Sequence, residues 1–181
     1  ARGTATAPRS PPPWRRRYAL HAQSPVEVHL VGHSAGAILL APLVKVLTQE
    51  LHIPIATCTL WAPAASIDLF KQTYLPAIQS EAIGRFALFT MTDQAEQDDH
   101  VARIYNKSLL YLVSRAFETS AFGPGTPLLG MERWVARDAE LAALFRSGRA
   151  DWVLSPNEAP EGAPDAARCT EHGGFDDDRC I

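Results

Sequence analysis

Residues 26–40 read VEVHLVGHSAGAILL, and the reading of this stretch decides the fold. Val26 to Gly32 is short, rich in β-branched residues and ends on a glycine, the pattern of a strand. Residues 35–50, AGAILLAPLVKVLTQE, place Ile38, Leu39, Val44, Val46 and Leu47 around a helix expected to be buried on most sides. Pro42 conflicts with that helix, because a proline past the first turn removes a hydrogen bond and introduces a kink. Between the two lies Gly32-His33-Ser34-Ala35-Gly36. A plain connection needs no hydroxyl at its sharpest bend. Small flanking residues allow the cramped backbone that would lift Ser34 out of the sheet.

Outward from this unit, strand and helix alternate. Residues 53–63 (IPIATCTLWAP) and 84–93 (GRFALFTMTD) read as further strands, and ADWVLSP (150–156) as a fourth. Ser66 can cap a helix over IDLFKQTYLPAIQSE. DQAEQDD (93–99) reads as an acidic loop, residues 100–118 and 131–148 as helices, and TSAFGPGTPLLG as loop from its glycines and prolines. The tail from Asn157 is rich in Gly, Pro and Asp. Strands separated by helices predict an α/β fold, a parallel sheet with flanking helices joined by right-handed crossovers. Reactive groups in such sheets collect in the loops after the strands, here at Ser34, after Pro63, at Asp93 and at His172.

The 181 residues suffice for one domain with a proper core, and 46% hydrophobic with 20% charged residues is ordinary for a soluble protein. A net charge of −3 gives no reason to expect nucleic acid as a partner, and no apolar run reaches the ~20 residues of a membrane span. Nothing calls for a metal or cofactor. Residues 1–24 read as a disordered Arg/Pro-rich lead before a domain over 25–181, and the start at Ala1 suggests that the natural N-terminus lies further upstream. Cys58 is expected buried. Cys169 and Cys180 flank TEHGGFDDD and either bridge, if the protein is exported, or stay free in a reducing compartment. The compartment stays unknown, with a cytoplasmic one slightly favoured.

A serine hydroxyl is a poor nucleophile until a base takes its proton, and the base needs an orienting acid. The N–H of Ala35, at the start of the helix, would point at the oxyanion of a tetrahedral intermediate. The segment VHLVGHSAGA resembles the nucleophile elbow of the α/β-hydrolase superfamily, and the resemblance runs from about Val26 to Phe175. It implies a serine–acid–histidine triad in that chain order, which Ser34, Asp93 and His172 supply. Asp98, Asp99 and Asp68 are the alternative acids. Asp176 to Asp178 read as surface charge. His29, His33, His52 and His100 are weaker candidates for the base, and His33 and Trp61 are expected to line the substrate site.

The resemblance also implies what is absent. The family threads several strands before the elbow, whereas 33 residues precede Ser34 here, so the expectation is a partial α/β-hydrolase fold lacking the N-terminal strands. One oxyanion donor would go with them, a loss of about 3–4 kcal/mol in transition-state stabilisation. The first strand would keep an exposed edge prone to self-association. Three functions follow: a serine hydrolase of carboxylic esters acting on a small-molecule ester or acyl substrate, a catalytically impaired fragment serving as a binding module, and an acyltransferase or peptidase on the same scaffold. Trp61, Leu69, Phe70, Leu128, Leu129 and Trp134 suit either a hydrophobic substrate or plain core packing. Residues 100–148 form either a movable lid or a packed helical layer.

Overall fold

Strand β1 (His29–His33) leads by a two-residue turn into helix α1 (Gly36–Lys45), as the opening stretch requires. The computed structural model describes residues 26–99, 107–116 and 125–181. The Arg/Pro-rich lead, His100 and most of the first half of the expected 100–118 helix lie outside the described residues. Strands β2 (Ile55–Trp61), β3 (Ile83–Met91) and β4 (Ala150–Ser155) follow β1 in a four-stranded sheet of order β1-β2-β3-β4, every pair parallel. This is the expected α/β arrangement, a parallel sheet with flanking helices.

Strand alternation divides the sheet into two faces. Leu30, Cys58, Phe86 and Ala150 stand in register on one face. There they pack with Ala37, Ala41 and Val44 of α1, with Phe70, Tyr74 and Ile78 of α2 (Ile67–Gln79), and with Leu141 and Leu144. Each large apolar side chain buried in this way contributes roughly 1.5–3 kcal/mol. The opposite face carries Val31, Thr59, Ala87 and Asp151 in register. Among the described residues it is covered toward the carboxyl ends of the strands, where Phe89 and Val153 pack with Ala167, Cys169 and Phe175 of the tail. Val31, farther back, is 55% exposed.

Several local expectations change. The helix through Pro42 does not break; it runs to Lys45 and closes in a π-helical turn, Val46–Glu50. Pro42 lies on the exposed side with Ile38, so the Ile38 carbonyl that loses its partner is in reach of water. Nor is α1 buried on most sides, since Ile38, Leu39 and Leu43 are exposed. The acidic stretch expected as loop is a helix, α3 (Asp93–Asp98), because the Thr92 hydroxyl accepts the Ala95 N–H and acids fill the first turn. Helix α4 covers Leu109–Ala116. The single helix expected over 131–148 is two, α5 (Glu132–Val135) and α6 (Ala139–Arg146), divided where Asp138 caps α6 through the amides of Glu140 and Leu141.

Candidate functional site

Ser34 sits in the left-handed backbone region at φ 52°, which costs a non-glycine residue about 1–3 kcal/mol and persists only where the surroundings over-determine it. Two bonds do so. The Ser34 N–H donates to the Trp61 carbonyl at 2.9 Å, and the Ser34 carbonyl accepts the Ala64 N–H at 3.0 Å. Gly32 completes the turn by having no side chain, since a Cβ there would lie 2.8 Å from Leu40 and 3.1 Å from Leu60.

The loop that clamps Ser34 is itself buttressed. Gly130 N–H donates to the Pro63 carbonyl at 2.9 Å and Leu129 N–H to the Ala65 carbonyl at 2.8 Å. A Cβ on Gly130 would come within 2.5 Å of the Pro63 oxygen. Leu128, Leu129 and Met131 are buried. The part described over 125–135 packs against the loop and holds the turn from behind. Phe70, Leu128 and Leu129 are therefore core residues.

His172 comes to Ser34 from the other end of the chain. A short 3₁₀ turn, His172–Gly174, carries it, and its Nε2 lies 2.9 Å from the Ser34 hydroxyl. Its main chain is held on both sides. The His172 N–H donates to the Asp99 carboxylate at 3.0 Å, and the His172 carbonyl accepts from His33 Nε2 at 2.8 Å. Burial, and secondarily the neighbouring His33, pushes the imidazole down to about 4, against a smaller upward pull from Asp99. The ring is thus neutral at pH 7, the form that can accept a hydroxyl proton. Nδ1 is buried with no hydrogen-bond partner among the described residues.

The tail that presents His172 is irregular but fastened. The Asn157 amide donates to the carbonyls of Leu154 and Asp165 and accepts from the amides of Ala159 and Ala167. Asp178, expected as surface charge, binds the N–H groups of Arg168, Cys169 and Cys180 at 2.6 to 2.9 Å. Partial burial works against its charge, but these amides outweigh it and hold the carboxyl below the usual range. Phe175 anchors the turn, 1% exposed in the second apolar cluster. Sequence reading missed Asn157 and Asp178. A side chain that bonds main chain ten residues away leaves no periodic trace.

The expected residues therefore fall into two groups. Ser34, Ala35 and His172 come together. Asp93 does not join them: its carboxylate accepts from Tyr111 at 2.8 Å and from Gln97 at 2.8 Å, and its amide is bound by Glu132. Asp98 is exposed and takes a bond from Gln94, and Asp68 is exposed at the start of α2. Asp99, one residue beyond α3, is the carboxylate that meets the His172 main chain, through its backbone N–H. His33 turns toward the His172 main chain, and Trp61 lends its carbonyl to Ser34 while its indole packs on the second cluster.

Cys58 is fully buried, which drives its thiol up to about 12. Cys169 and Cys180 are free thiols. No group of three or more His, Cys, Asp or Glu among the described residues could hold a metal ion, and none of their helices is long and apolar enough to cross a membrane. Compared with family models, curated proteins and solved structures, the chain matches none.

Proposed function

We propose that this chain is a serine hydrolase of the α/β-hydrolase type that cleaves carboxylic esters through an acyl-enzyme on Ser34. The observation that carries the reading is the 2.9 Å contact between the Ser34 hydroxyl and His172 Nε2, made by a strained strand-to-helix turn and a tail residue far away in the chain. His172 accepts the hydroxyl proton as Ser34 attacks the ester carbonyl. The Ala35 N–H, at the positive end of α1, faces the developing oxyanion. The imidazolium then gives its proton to the departing alcohol, and a water molecule, deprotonated by the same ring, releases the acid.

Asp99, rather than Asp93, is the acid of this reading. Its carboxylate, hydrogen-bonded to the His172 N–H, favours the imidazolium through space. Esters suit the site better than amides, because amide resonance makes the carbonyl less electrophilic and asks more of the oxyanion donors. Turnover of a panel of acyl esters, amides and acceptor alcohols tests the assignment. Ester hydrolysis that exceeds both amide cleavage and acyl transfer is the expected result, and a preference for amides or acceptors would move the protein to the peptidase or acyltransferase class.

A further inference from the structure

His33 occupies the variable position of the turn, next to Ser34, where a side chain would ordinarily face substrate. Its Nε2 instead lies 2.8 Å from the His172 carbonyl oxygen. A carbonyl can only accept, so this nitrogen carries a hydrogen, which fixes the state of one side of the ring. The two rings lie 5.3 Å apart and tilted by 33°, and Phe175 closes on the other side of His33 at 6.2 Å. One side chain of the nucleophile turn is thereby tied to the main chain of the residue whose ring must reach the nucleophile.

We propose that His33 is a positioning residue for His172: its Nε2–H pins the carbonyl of the base so that the imidazole meets the Ser34 hydroxyl. This rests on the serine-hydrolase reading of the site. Without the His33 bond, the His172 main chain would lose its tie to the nucleophile turn, and a 1 Å displacement of a reacting group costs about 10²-fold in rate. The titratable groups that act on His172 are His33, from the end of β1, and Asp99, from the end of α3. They oppose one another. Positive charge on His33 disfavours the imidazolium and Asp99 favours it, so removing His33 moves the titration of His172 upward.

Two variants separate the roles. His33→Gln keeps a donor at similar reach without a titratable ring, and His33→Phe keeps an aromatic ring without a donor. The readouts are the pH dependence of fluorophosphonate labelling at Ser34 and the NMR titration of the His172 ring. His33→Phe should label about 10²-fold more slowly at pH 7. His33→Gln should keep most of the rate, with its acid limb and the His172 titration both shifted to higher pH.

Unchanged labelling by His33→Phe, or an equal loss in both variants with an unmoved His172 titration, would overturn the proposal. If His33→Phe fails to fold, His33→Leu, which also lacks a donor, takes its place in the comparison with His33→Gln. If the wild-type chain is not labelled at all, the hydrolase reading fails, and the NMR signals of the His172 ring at pH 7, displaced in His33→Phe and kept in His33→Gln, still decide the inference about His33; signals alike in both variants would overturn it.

Discussion

The Ser34 turn and the His172 tail meet at one hydrogen bond, yet they are built in opposite ways. The turn is local. A strand, two small residues and a helix define it, and its strained backbone is over-determined by bonds to Trp61 and Ala64. The tail has little regular structure. It depends on the apolar packing of Phe175, Ala167 and Cys169 and on side-chain-to-main-chain bonds from Asn157 and Asp178. The turn thus belongs to the cooperative core, whereas the tail is a separately fastened piece that brings the base to it. In this account activity is most sensitive to losing the tail's docking, and global stability to damage at the turn.

The largest effect should come from the base itself. His172→Ala should lower ester turnover by about 10⁴-fold or more, while circular dichroism and the cooperativity of unfolding are preserved. Next come two substitutions that set the regions against each other. Phe175→Ala removes a buried aromatic, about 3–5 kcal/mol of packing. Hydrogen exchange should rise over 156–181 with β1 to β3 still protected. Gly32→Ala pushes a methyl against Leu40 and Leu60 and should instead lower the stability of the whole sheet, by about 1–3 kcal/mol. Gly36→Ala, where an added Cβ meets nothing within 4 Å, should be neutral in the same denaturant titration.

The acids provide a smaller contrast. Asp99→Asn should reduce turnover by about 10²-fold by loosening the His172 main chain, and Asp93→Asn only slightly, since Asp93 serves Tyr111 and Gln97. The reverse order, measured as kcat, would return the acid to Asp93.

Two pH effects are smaller still. His172 titrates at about 4 in the folded chain against an ordinary 6.5. Its contribution to stability is therefore complete above pH 6.5 and is lost as pH falls through 4. Turnover should hold through mildly acidic pH and fall with a midpoint near 4. Glu96, buried on α3, bonded by the Ser108 hydroxyl and pushed by burial up to about 8, behaves oppositely. Its contribution is complete below the ordinary carboxylate range and is lost as pH rises through 8. Glu96→Gln should be near neutral at pH 5 and stabilising above pH 8, read as a shift in Tm.

What could be read in the sequence follows the same division. The β1–turn–α1 unit, the Ser66 cap and the four strands were legible, because periodicity and capping are local signals. The Thr92 and Asp138 caps were present but masked, one by an acidic run that reads as loop and the other by apolar spacing that spans the break. The Ser34–His172 pair was expected from chain order within a resemblance. Which acid reaches the His172 main chain was not legible, because Asp93, Asp98 and Asp99 differ only in where the end of α3 points them. The roles of Asn157, Asp178 and His33 depend on contacts across the fold.

The central claim is that His172 makes Ser34 nucleophilic, and mass mapping of a fluorophosphonate adduct at pH 7 tests it most directly. The account predicts a single adduct on the peptide containing Ser34, absent in Ser34→Ala and reduced by orders of magnitude in His172→Ala. A wild-type chain that takes up no label, or a His172→Ala chain labelled as fast as wild type, would contradict it.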